Sequence, residues 1–210
     1  MKKGKIILGC FLFLIIGMVT LLYCGKIKAE RRQKGIAKEI VRLHVIANSD
    51  SDNDQKLKMR VKESVVMYLR ETMGKAVTVE EAKEQIKEKL PQIEQIAKQK
   101  MQSEGYFYEV KAELGNCYFP VKQYGDLTFP AGQYEALRIE IGKSKGRNWW
   151  CVMYPSLCFV DSVYQIVPDE SKEKLRTSLT AEEYDSLLDG GDEVHYSSKI
   201  IEWVEGILSY

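Results

Sequence analysis

Residues 6–23 read IILGCFLFLIIGMVTLLY, without one charged side chain. As an α-helix this segment is about 27 Å long, close to the hydrocarbon thickness of a bilayer. It is apolar on every face, whereas a surface helix of a soluble domain carries one apolar stripe. Lys2, Lys3 and Lys5 stand before it, as in the charged start of an export signal. The chain is therefore expected to be exported or anchored through this helix. No small-x-small pair succeeds the run: Ala29 has Lys28 before it and Ile27 two positions back. Leu21-Leu22-Tyr23-Cys24 carries the cysteine of a lipidation site, but Tyr23 is too bulky for one. An uncleaved anchor is expected. Charge leaves its orientation open. Lys26, Lys28, Arg31, Arg32, Lys34 and Lys38 lie behind the run, and counting them keeps the domain in the cytoplasm, while the charged start indicates export.

Composition narrows the character of the chain beyond the anchor. Of 210 residues 45% are apolar and 29% charged, enough for one core and far too polar for a polytopic membrane protein. Lys plus Arg is 31 against 30 Asp plus Glu, so no polyanion-binding footprint stands out and no nucleic-acid partner is expected. Two histidines and five cysteines offer few metal ligands and fall short of a disulfide-dense scaffold. No metal, cofactor or small-molecule substrate is expected.

The chain divides into a signal or anchor helix (1–25), a charged stalk (26–39), an α+β domain (40–167), and a linker with short C-terminal helices (168–210). Residues 40–47, IVRLHVIA, alternate as a strand does. A run of Asn, Ser and Asp comes next, suited to a turn and a helix start, with Ser51 and Asp54 as a cap. Leu57, Val61, Val65, Tyr68, Leu69 and Thr72 recur at helical spacing, predicting a helix over about 53–73. Thr78-Val79-Glu80-Glu81 is a capping-box pattern, and Ala82, Ile86, Leu90, Ile93, Ala97 and Met101 mark a second helix that Pro91 should kink or restart. Beyond Gly105 residues 106–114 alternate as a strand. Residues 117–131, with Pro120, Gly125 and Pro130, read as an irregular connection, and 134–141 as the clearest strand. Residues 142–148, GKSKGRN, read as a hairpin turn with 149–154 as its return strand. Two to three helices packed on a largely antiparallel sheet are expected, an α+β fold. Thr180 begins a short helix that Gly190-Gly191 stops, and Ile200, Trp203, Val204, Ile207 and Leu208 form a last apolar stripe.

The residues offer little catalytic chemistry. Gly142-Lys143-Ser144-Lys145-Gly146 matches the string G-x-S-x-G, but a nucleophile elbow needs a strand entering a helix, and here a turn between strands is read. Asp50, Asp52 and Asp54 have the opening spacing of a calcium loop, yet its sixth and twelfth positions hold Gln55 and Val61. His44 sits in an apolar strand and His195 in a polar stretch. A Cys–His dyad could be assembled only in three dimensions, from Cys117, Cys151 or Cys158. If the chain reverses at Tyr154-Pro155, Cys151 and Cys158 oppose each other. They then form either a disulfide or two buried thiols. Trp149 and Trp150 must point to opposite faces of a strand. Either both are covered, or one indole is exposed beside Arg147 and Asn148, in the residue class that dominates binding hot spots.

Three blocks carry a resemblance. Residues 42–51, RLHVIANSDS, with Asp54-Gln55 and Leu57-Lys58, form the first; FPVKQYG at 119–125 and FPAGQYEA at 129–136 form the second; NWWCVMYPSLCF at 148–159 forms the third. They occur in order and together resemble the stage II sporulation protein R family, with Tyr154 and Ser156 as mild departures. That resemblance implies a protein made in the forespore and exported toward the space between forespore and mother cell. There it would trigger a membrane-embedded aspartic protease that processes the sigma-E precursor. It implies a signal and no catalyst, and sets the domain outside the cytoplasm. Asn48, Ser49, Asp50, Asn148, Trp149 and Trp150 are then the candidate partner-binding residues. The competing expectations are an exported or anchored hydrolase with a Cys or Ser nucleophile, and a structural envelope module.

Overall fold

The computed structural model of the chain describes residues 2–72, 76–158 and 167–188. The predicted stripe of Ile200 to Leu208 and His195 lie outside the described residues.

Helix α1 runs unbroken from Lys2 to Lys38. Its stretch Gly9–Lys38 has mean hydropathy 2.1 over the most apolar window, none of which is buried by the rest of the chain. It is long and apolar enough to cross a membrane or serve as an export signal. The charged residues behind the apolar run continue the same helix and dock on the domain. Ile36 is fully buried. Gln33 Nε2 donates to the Gln133 carbonyl at 2.9 Å, and Lys28 pairs with Glu182 at 3.0 Å.

Strand β1 (Val41–Ile46) comes next and is buried along its whole length. Helix α2 (Asp52–Thr72) starts where Ser51 Oγ accepts the Asp54 N–H, with Asp52 and Asp54 at the positive end of the helix dipole. It buries Leu57, Val61, Val65, Val66 and Leu69. Helix α3 (Val79–Ser103) is capped by Thr78, whose hydroxyl accepts the Glu81 N–H. The helix continues through Pro91 without a restart. Pro91 and Lys87, whose carbonyl loses its partner, are both on the exposed side, where that carbonyl is open to solvent.

Strands β2 (Val110–Phe119), β5 (Gly132–Ile141) and β6 (Asn148–Tyr154) join β1 in a four-stranded sheet of order β2-β5-β1-β6. Two of its ladders are antiparallel, and β1 with β5 is parallel. This is the α+β layer the residue pattern predicts. Two local readings are overturned. Residues 142–147 are no hairpin turn, because β1 lies between β5 and β6; they form an arch over the end of β1. Turn chemistry is present, with Gly142 at φ +57° and Ser144 at φ +52°, but it does not say which strand lies next door. Residues 117–131 are not irregular: β2 extends to Phe119, and β3 (Lys122–Tyr124) pairs with β4 (Leu127–Phe129). The prolines bracket this ribbon and leave its ladder intact.

Each sheet face has a core. α2 and α3 cover Val41, Leu43, Val45, Leu137, Ile139 and Cys151. The end of α1, the β3–β4 ribbon, α4 (Asp169–Ser178) and α5 (Ala181–Leu188) cover Phe119, Tyr134, Ala136 and Val152. Gln33 meets the start of β5, and α1 leads into β1, which runs parallel to β5. The arch therefore stands at the end of the sheet far from α1, about 30 Å along a ten-residue strand.

Candidate functional site

At that far end, three stretches distant in sequence are tied to one carboxylate. Asp54 Oδ2 accepts from Asn48 Nδ2 at 2.8 Å and from Ser49 Oγ at 2.5 Å. Burial pushes the Asp54 pKa up, but bonds from Ser49, Asn48, Tyr108 and Ser51 outweigh it and hold the carboxyl below its ordinary range. Asn48 is used on both sides of its amide: its Oδ1 accepts the Lys143 N–H at 3.0 Å. The Lys145 and Gly146 N–H groups bond the carbonyls of Asn48 and Ala47, and the Arg147 N–H bonds Asp50 Oδ1 at 2.6 Å. Beneath the arch the buried Lys58 ammonium donates to Gln55 and to the Arg147 carbonyl. Burial, then the nearby Arg147 charge, lowers its pKa, against the pull of Asp50.

The arch sits so close that side chains are excluded. A Cβ at Gly146 would overlap the Ser49 carbonyl oxygen, and one at Gly142 would overlap Asn48 Oδ1. The candidate groups around Asn48 and Asn148 are thus brought together, since Asn148 pairs with Ile46 at the end of β1. Asn48 and Ser49 are half-buried and brace the fold, while Asp50, Arg147 and Asn148 face outward.

The chain also matches known proteins across this region. The family model described as Stage II sporulation protein R matches residues 37–164. A protein of Bacillus subtilis (strain 168) named Stage II sporulation protein R is 33% identical over 228 residues, covering 99% of this chain and all of its own length. The chain belongs to the stage II sporulation protein R family. No solved structure matches it.

Within the stretch matched to that family, the two tryptophans point to opposite faces and neither is free. Trp149 packs against the α2–α3 core under Lys62, whose ammonium lies 4.8 Å from the ring centroid. Trp150 stacks on His44 at 3.8 Å between centroids and touches Phe119. His44 is 6% exposed. Burial lowers its pKa to about 4; Asn148 raises it and the Arg138 charge lowers it. Cys117 Sγ lies 3.9 Å from His44 Nδ1, but burial raises the thiol pKa. Both groups are therefore neutral near pH 7, and the pair is no thiolate–imidazolium nucleophile.

Other motifs resolve simply. Ser144 is on the arch between two strands, not on a strand-to-helix elbow. Asp54 and Asp50 are bonded to different partners, and no group of three His, Cys, Asp or Glu able to hold a metal occurs among the described residues. Cys151 and Cys158 are disulfide-bonded, with Cα atoms 5.5 Å apart.

Two residues escape sequence reading. Arg42 is fully buried, boxed by the rings of Phe119 at 4.1 Å and Tyr134 at 4.8 Å, and donates to the Tyr124 hydroxyl at 3.0 Å. The available signal is an arginine inside an apolar strand, in a chain whose FPVKQYG and FPAGQYEA stretches supply aromatic rings for cation–π packing. The second is Phe107, 81% exposed between two anchored tyrosines.

Proposed function

We propose that this chain is an extracytoplasmic sporulation signal that activates a membrane-embedded aspartic protease, which then processes the sigma-E precursor. It acts by binding. A binder activates only by favouring the active arrangement of its partner, and a coupling of about 1–3 kcal/mol is typical of such effects. Membership of the stage II sporulation protein R family supports the sporulation setting. The observation that carries the binding reading is the braced end of the sheet. Residues of two separate sequence blocks converge there, and their bonds hold a shape without assembling an activated nucleophile. The apolar α1 and the Cys151–Cys158 disulfide both suit a site beyond the cytoplasm.

The test is single substitution of the outward-facing Asp50, Arg147 and Asn148 to Ala in the full chain, with export and folding verified. At least one is expected to abolish precursor cleavage; three folded, exported and fully active variants would remove this surface from the account. The hydrolase reading rests on the Cys117–His44 contact. Cys117→Ser with Ser144→Ala separates the two: signalling by binding survives both changes.

A further inference from the structure

We propose that Phe107 is the anchor of the partner contact, its phenyl ring entering an apolar pocket on the partner protein inside a rim of mixed charge. The inference rests on the activator reading and names the contact within it. Phe107 is 81% exposed, more than any other large apolar side chain among those described, α1 included. Leaving a phenyl ring in water forgoes the free energy of burying it, and this one is held out by its surroundings. Gly105, at φ +81°, ends α3 and bonds the Gln102 carbonyl, and Tyr106 N–H bonds the Met101 carbonyl. Tyr106 and Tyr108 turn inward against the α2–α3 core, with ring centroids 5.7 Å apart, so the residue between them points out. The Tyr108 hydroxyl is bonded to Asp54, the same carboxylate that Asn48 and Ser49 hold.

The Asp54 network therefore positions Phe107 as well as the arch. Gly142 N–H bonds the Glu109 carbonyl at 2.8 Å, which sets the arch against the segment that carries Phe107. The same end of the sheet carries the cations Lys143, Lys145 and Arg147 and the acids Asp50 and Glu109, all exposed. One rigid aromatic within charges of both signs is complementary to a protein pocket with a polar rim. It does not suit an anionic bilayer, which needs a broader apolar face and a consistently basic border.

The experiment compares the full-length wild-type chain with Phe107→Ala, Phe107→Leu and Val77→Ala in spore-forming cells lacking their own copy. The readout is the rate of sigma-E precursor cleavage at equal protein level, with melting of the purified full chain to verify folding. Val77 is 77% exposed and remote from the arch, its carbonyl bonded to Tyr154 at the opposite end of β6. Phe107→Ala is expected to slow cleavage at least tenfold with an unchanged melt, while Phe107→Leu and Val77→Ala stay within about threefold of wild type. Wild-type rates with Phe107→Ala overturn the proposal and leave the activator reading standing. Phe107-dependent capture on phosphatidylglycerol vesicles, with cleavage untouched, assigns the ring to a bilayer and also overturns it. If cells without the chain cleave the precursor as well as cells with it, the activator reading falls and takes this contact with it.

Discussion

Asp54 shows how a residue that reads as a helix cap serves a wider purpose. Ser51 does cap α2 through the Asp54 N–H, but the Asp54 side chain gathers Asn48, Ser49 and Tyr108. Asp54→Ala leaves half-buried donors without an acceptor, and about 1–2 kcal/mol of stability should be lost, read as a lower urea midpoint with the same slope. His44 supplies a pH dependence of defined sign. Its folded pKa is near 4 and the free imidazole titrates near 6.5, so protonation favours the unfolded chain. Its contribution is complete above about pH 6.5 and declines as pH falls toward 4, by up to about 3 kcal/mol. His44→Phe, which keeps a ring against Trp150, should flatten that part of the stability–pH curve. The sequence hides the roles of Arg42 and Phe107 for one reason. Strand-like alternation suggests which residues share a face, but not whether that face meets aromatic rings or water.

At the level of elements, local chemistry is legible and partners are not. The caps of α2 and α3, the apolar stripes and the span of β1 follow from spacing and short polar side chains. The arch reads as a hairpin because its positive-φ residues are turn residues in either case. Only the non-local pairing of β1 with both β5 and β6 separates the strands. The β3–β4 ribbon escapes notice because strands of three residues leave almost no periodicity. Gly146 tests the arch as an element. Gly146→Ala drives a methyl group against backbone, the Ser49 carbonyl, and should cost about 1–3 kcal/mol, whereas Ala at Gly115, which meets open space, should cost less. Equal losses in a thermal melt would show that the arch does not sit tightly on the loop after β1.

Across the whole molecule, one continuous helix joins an apolar segment to a domain whose distinctive residues lie at its opposite end. The charges behind the apolar run, which leave orientation open in the sequence, lie on a stretch of α1 with a structural use: Lys28 binds Glu182 and Gln33 binds the start of β5. That docking makes the end of α1 part of the fold, and it sets the arch, Asp50 and Phe107 at the end of the sheet far from that helix. The central claim is that this shape works from outside the cytoplasm. Its most direct measurement is sigma-E precursor cleavage in cells lacking their own copy, complemented either by the full chain or by a chain without residues 6–23. The full chain should restore cleavage and the cytosolic form should not; full restoration by the cytosolic form would contradict the account.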